Sequence, residues 1–254
     1  MSSRSESKKA AREARLAAEQ EEAAKQRRQR TWSLIGGAVL LAAIIVVALI
    51  VISSSDSGDD GSDSGDVALF DGIPQSGNAL GDPDAPLTMV EFADLQCPFC
   101  KEYTANVLPD LVEKYVKSGD LRMELNLLTF IGPDSQTLAA SAYAAGDQDL
   151  MWQWTDTAYA RQGTENSGYV DSDFIDSVSE AAGADPEQVN QEAGSSAVSQ
   201  EITKAADAAQ QAGISSTPSF LIGPTGGDLT NLDVQQLETS QFEDAIDQQL
   251  SDAK

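Results

Sequence analysis

Two cysteines, Cys97 and Cys100, are the only thiols in the chain, and Pro98 and Phe99 stand between them. At the start of a helix this spacing lets the sulfurs reach each other. The pair can then open and close as a disulfide while the surrounding structure stays folded. Proline fits the first helical position, where its missing N–H is no loss. Cys97 then lies where unpaired backbone N–H groups and the positive end of the helix dipole converge. Both stabilise the thiolate, which is the reactive form; thiols in such pairs titrate at ~3.5–7, against ~8.5 for a free cysteine. Cys100, one turn further in, is the expected resolving thiol. The predicted chemistry is thiol–disulfide exchange.

Composition removes most competitors. The 254 residues include 41 acidic and 16 basic side chains and no histidine, for a net charge of −25. Without imidazole there is no Ser-His-Asp triad, no Cys-His pair and no histidine-bearing metal site. Two cysteines are half of a four-thiolate zinc site, so no metal and no cofactor is expected. Such an acidic chain lacks the basic stripe that tracks nucleic-acid phosphates. A purely structural disulfide would close too short a loop to add much stability.

The charges are unevenly spread. Residues 1–31 carry nine Lys/Arg against five Glu, a basic tail. Trp32 to Ile52 form an uncharged apolar run of 21 residues. As a helix it is roughly 31 Å long, about one bilayer core. Arg27, Arg28 and Arg30 precede it and Asp56, Asp59 and Asp60 follow it. The positive-inside rule therefore predicts a single-pass signal anchor with a cytoplasmic N-terminus. The apolar part of a cleaved signal peptide is shorter, ~7–15 residues. Residues 53–66 contain only Ser, Asp and Gly and are read as a solvated linker spanning ~20 Å. Residues 67–254, with 31 acidic and seven basic side chains, form one domain outside the cytoplasm, where disulfides persist.

The elements that must position the cysteines follow an α/β order. Leu87 to Ala93 is a short apolar strand leading to Cys97. Tyr103, Val107, Leu108, Leu111, Tyr115 and Val116 recur at helical spacing up to Gly119, with a kink expected at Pro109. Leu121 to Phe130 reads as a second strand. A helical block over about 132–212 follows, with helices starting at Asp134, Asp147, Asp171 or Ser172, and Asp185-Pro186. Gly183 and Gly213 are stops. Ser219 to Ile222 is a strand, Gly226-Gly227 a turn, and Leu229 to Leu232 a weaker strand. Ser240 and Glu243 form a capping box for a closing helix. Trp152, Trp154 and Tyr159 are assigned to the core.

The segment Glu91-Phe-Ala-Asp-Leu-Gln-Cys-Pro-Phe-Cys-Lys101, with Ser216-Thr217-Pro218 far downstream, resembles the DsbA-like branch of the thioredoxin superfamily. The likeness covers residues ~80–252. It implies a thioredoxin fold with an inserted helical domain, here preceded by one N-terminal transmembrane helix. It also implies a buried acid at Glu91 exchanging protons with Cys100, the alternative being a solvent-facing strand residue. Pro218 corresponds to a cis-proline facing the disulfide, with Thr217 offering its backbone to a substrate peptide. Pro98 and Phe99 belong to the substrate-facing surface, and Lys101 is read as a solvated helix residue. Phe99 departs from the family's strongest oxidants, which carry histidine between the cysteines. With Asp94 and Glu102 close in sequence, Cys97 is expected to be less acidic, and its disulfide less oxidising, than in a histidine-bearing relative.

The resemblance points to an extracytoplasmic oxidase acting on reduced or misoxidised exported proteins. Its pair would be reoxidised by a quinone-linked membrane partner of the DsbB or vitamin-K-epoxide-reductase-like kind. A monomer is expected, since the 20 residues between linker and first strand are too few for the dimerisation module of an isomerase. The alternatives are a reductase or isomerase, as in cytochrome maturation, and a redox sensor or holdase without turnover.

Overall fold

The computed structural model describes residues 67–252. The basic tail, the span over 32–52 and the linker over 53–66 lie outside them. Among the described residues no helix is long and apolar enough to cross a membrane.

The central strand is the most apolar one. Leu87–Ala93 (β3) is buried at all seven positions, as a strand covered on both faces must be. It pairs in parallel with β4 (Leu121–Leu127) and antiparallel with β5 (Ser219–Pro224). A two-residue strand, β6 (Thr230–Asn231), extends the sheet beyond β5. On the other side β4 carries a hairpin of β1 (Gln75–Ser76) and β2 (Ala79–Leu80). The order is β1-β2-β4-β3-β5-β6. The hairpin was not anticipated. Its strands are too short to show a period, although Gly77-Asn78, with Gly77 at φ +58°, is a turn signal.

Alternation along β3 sorts its side chains between two layers. Val90 and Phe92 pack with Ala205 and Ala209 of α7 (Ser196–Gln211). Leu87, Met89 and Ala93 join the larger core on the opposite face, and Glu91 shares their parity. That face is covered by α1 (Pro98–Asn106), α2 (Leu108–Leu111) and the closing helix α8 (Thr239–Asp252). Tyr103, Phe220 and Phe242 pack there in tilted and edge-to-face pairs with ring centroids 4.7–5.3 Å apart, joining α1, β5 and α8. The expected kink falls at Val107, two residues before Pro109, whose missing N–H leaves the Ala105 carbonyl without its helical donor. A π turn over Val112–Val116 follows.

The inserted block contains α3 (Pro133–Gly146), α4 (Met151–Ala160), α5 (Ser172–Ala182), α6 (Pro186–Glu192) and then α7. The α/β thioredoxin arrangement with a helical insertion is therefore present. Asp171 and Asp185 cap α5 and α6 by accepting backbone N–H groups, and Gly183 ends α5 in the left-handed region. Trp152, Trp154 and Tyr159 are core residues. Trp154 donates to Ser179 Oγ at 3.0 Å, which ties α4 to α5.

Three boundaries differ from expectation. The helix placed at Asp147 begins at Met151, after a turn in which Asp149 takes φ +57°. β4 stops at Leu127 instead of Phe130, because the N–H groups of Phe130 and Ile131 donate to the Asp94 carboxylate. The closing helix begins at Thr239, so Ser240 lies inside its first turn and forms no cap. The Thr239 hydroxyl instead donates to Asp110 Oδ2 at 3.0 Å, fastening α8 to α2.

Candidate active site

β3 delivers the chain to a short loop, and Cys97 is the N-cap of α1, with Pro98 at the first helical position. The geometry explains why the thiols differ. Phe99 and Cys100 occupy the positions whose N–H groups have no helical partner and are directed at the cap residue. Both N–H groups favour the Cys97 thiolate. Cys100 is fully buried one turn in, Cys97 is 5 % exposed, and Phe99 stands 60 % exposed. Both cysteines are free thiols.

Cys97 is lowered from 9.0 to about 6. The largest cause is a hydrogen bond from the Cys100 thiol; burial works against it, and the Thr217 side chain assists. Cys100 moves the other way, well above the ordinary thiol range, first because it is buried and then because it serves Cys97 as a donor. One helix turn thus holds a thiolate and a thiol at neutral pH.

Beneath the pair lies Glu91, 2 % exposed and on the cysteine side of the sheet, not facing solvent. Burial, followed by repulsion from Cys97, raises its carboxyl to about 8. It is therefore a protonated acid near neutrality. Tyr103 and Tyr159 are pushed well above the phenol range by the same burial, and each also senses Glu91.

The Thr217–Pro218 peptide is cis, and the Cys97 sulfur lies 3.4 Å from the Thr217 carbonyl, to which it donates only while protonated. Pro218 lines an open groove of about 490 Å³ together with Ile214, Ser216, Phe220 and Leu232. Cys97, Cys100, Glu91, Thr217 and Pro218 are thus brought together from β3, α1 and the loop before β5. Lys101 is only half-exposed, and its ammonium donates to the Ala160 carbonyl at 3.5 Å.

Asp94 overturns its sequence reading. It is not exposed on the surface beside Cys97 but fully buried, where its side chain accepts four hydrogen bonds. Gln96 N and Ser135 Oγ donate to Oδ1, and Phe130 N and Ile131 N donate to Oδ2, at 2.7–3.1 Å. The inserted block completes the clamp. Tyr159 donates to the Asp94 carbonyl at 3.2 Å, and Gln162 donates to the carbonyls of Leu95 and Cys97. Asn166 N donates to Gln96 Oε1, and its side chain donates to the Ile131 carbonyl. A Cβ at Gly132 would collide with the Asn166 side chain and displace it from these bonds. These clamp residues were missed because their pairings span 35–70 residues. Only an aspartate just ahead of a helix start hinted at one of them. Among the described residues no cluster of His, Cys, Asp or Glu has the arrangement of a metal site.

Comparison with known proteins agrees with this architecture. The probable disulfide bond formation protein D of Bacillus cereus is 30 % identical over 176 residues, covering 68 % of this chain and 78 % of that protein. The oxidised BdbD structure from Bacillus subtilis superposes with a TM-score of 0.59 at 19 % identity, over 74 % of this chain and 96 % of that one. The α-DsbA1 structure from Wolbachia pipientis gives 0.61 at 20 % identity, over 69 % and 92 %. At those identities the superpositions speak for the fold alone. The family model described as thioredoxin matches residues 75–247, and with the relative from Bacillus cereus it shows that the chain belongs to the thioredoxin family, as a thiol:disulfide oxidoreductase.

Proposed function

We propose that this thiol:disulfide oxidoreductase is an oxidase of exported proteins, held outside the cytoplasm by an anchor over residues 32–52. The observation that carries the reading is the division of the pair into an acidic Cys97 at about 6 and a buried Cys100 held far higher. A stabilised thiolate favours the reduced form of the pair, which makes the disulfide an oxidant, and it makes Cys97 a good leaving group. The name of the Bacillus cereus relative points the same way. At about 6, Cys97 falls between the thioredoxin value of ~7 and the DsbA value of ~3.5. That fits Phe99 standing where an imidazole would help further.

In the proposed cycle a substrate thiolate attacks the Cys97 sulfur of the Cys97–Cys100 disulfide. The S–S bond breaks, a mixed disulfide forms on Cys97, and Cys100 leaves with the electron pair and is protonated by Glu91. A second substrate thiolate then attacks the substrate sulfur of the mixed disulfide. Cys97 departs as a thiolate and the substrate leaves oxidised. The Thr217 carbonyl and the groove beside Pro218 offer an extended peptide a backbone partner and apolar contact, with Phe99 adding a further apolar surface. A membrane partner of the DsbB or vitamin-K-epoxide-reductase-like kind, acting on a monomer, returns the pair to the disulfide.

Alkylation trapping of Cys97 and Cys100 in intact cells, paired with turnover on a reduced, unfolded protein, tests the proposal. A resting disulfide with catalytic oxidation is expected. A resting dithiol would assign the chain to reduction or isomerisation, and binding without turnover would assign it to sensing or holding.

A further inference from the structure

Cys100 gains or loses a proton in each cycle although it is fully buried. Glu91 is the acid beneath it, but Glu91 is equally shut off and must itself be recharged. A small, partly enclosed cavity adjoins Glu91, with about 10 Å³ available to a water centre, enough for one molecule. Its wall includes Thr104 of α1 and Thr155, Asp156 and Tyr159 of α4. Glu91 Oε1 and Thr155 Oγ1 are fully buried and have no hydrogen-bond partner among the described residues. Buried polar atoms around a space of this size are the setting in which proteins hold an internal water.

The cavity has an outward neighbour. Thr104, Asp156 and Tyr159 also line a cleft of about 270 Å³ whose rim includes Lys101, Ala105 and Pro109. Asp156 is half-buried and borders both spaces, so one carboxylate of the inserted block stands between the inner cavity and the surface. The titratable groups around Glu91 are Cys97, Cys100 and Tyr103 from α1 and Asp156 and Tyr159 from α4. All are acids, and among the described residues no cation lines the inner cavity, Lys101 lying on the outer cleft.

We propose that this cavity is the proton conduit of the cysteine pair, in which Asp156, through a water held by Thr155, relays protons between Glu91 and solvent. When the disulfide is opened, Cys100 leaves with the electron pair and takes the Glu91 proton. The Glu91 carboxylate regains one through the cavity water from Asp156, which is recharged from solvent. When the membrane partner takes the two electrons and re-forms the disulfide, the proton transfers run in reverse. Asp156 is a positioning residue in this scheme, since it acts through Glu91.

The inference rests on reading Cys97–Cys100 as an exchange pair, and its test avoids protein substrates. Reduction of the disulfide by dithiothreitol is followed by tryptophan fluorescence in wild type, Asp156→Asn and Thr155→Val at several pH values. Both variants are expected to react about tenfold more slowly near neutrality, at the low end of general acid–base contributions. Formate or imidazole should restore the rate, while the equilibrium with glutathione stays at the wild-type value. Wild-type rates in both variants, or a slow rate that no small acid rescues, would overturn the conduit. If Asp156→Asn does not fold, Thr155→Val alone decides. A chain that passes this test yet fails to oxidise unfolded protein would refute the oxidase reading and leave the conduit standing.

Discussion

The mouth and the floor of the site lie one helical turn apart and obey different physics. At the mouth, Cys97 meets helix-start N–H groups, the Thr217 carbonyl and an exposed Phe99. On the floor, Cys100, Glu91 and Tyr103 share a space where desolvation dominates and every acid is held protonated. The same burial that silences the floor helps the mouth, because it keeps the Cys100 thiol protonated and donating to Cys97. Placement alone therefore produces an acidic nucleophile in a chain that has no histidine. The fold makes two chemically identical side chains into a reactive group and a reserve.

The comparison is broken most completely at the mouth. Cys97→Ser should lower the oxidation of reduced, unfolded protein to the uncatalysed background while circular dichroism stays unchanged, because the nucleophile is gone and the fold is not. Removing the shared support comes next. Asp94→Asn disturbs four buried hydrogen bonds at the loop that aims Cys97. It should cost ~2–4 kcal/mol in denaturant unfolding.

Glu91→Gln sharpens the contrast on the floor. The folded state keeps the Glu91 proton up to about pH 8, whereas the unfolded chain releases it near ~4.3. Between those values the native state binds more protons, so Glu91 lowers stability as pH rises through that window. The variant should therefore be more stable at pH 8 by ~5 kcal/mol, with little difference at pH 4. Both proteins are compared in the reduced state, in which the lowered pKa of Cys97 acts in the opposite sense and adds stability as pH rises above about 6. The smallest effect is expected at Gln162→Ala, which frees the carbonyls of Leu95 and Cys97 on a partly exposed rim. A loss of ~1 kcal/mol should appear in thermal unfolding.

The same two regions show what a reader of the sequence can recover. The mouth is written in adjacent residues: Cys-Pro-Phe-Cys after an apolar strand sets the cap, the helix start and the thiol that lies outermost. Burial of Glu91 was implied by the family resemblance alone, and the structure enforces it by covering β3 on both faces. The clamp is different. Asp94, Ser135, Tyr159, Gln162 and Asn166 meet only because α3 and α4 return to the loop, and no local period reports that return. Asp94 looks like a surface charge until its four donors are seen. The break at Val107 was legible from Pro109, whereas the start of α8 was set by Thr239 reaching Asp110 across the molecule.

The most direct test of the account is the pH dependence of alkylation at each cysteine of the reduced protein, resolved by mass spectrometry. Cys97 should react with a midpoint near 6, and Cys100 should remain unmodified until well above the range of an ordinary thiol. Two thiols titrating together near 8.5, or Cys100 reacting first, would contradict the division of labour on which the mechanism rests.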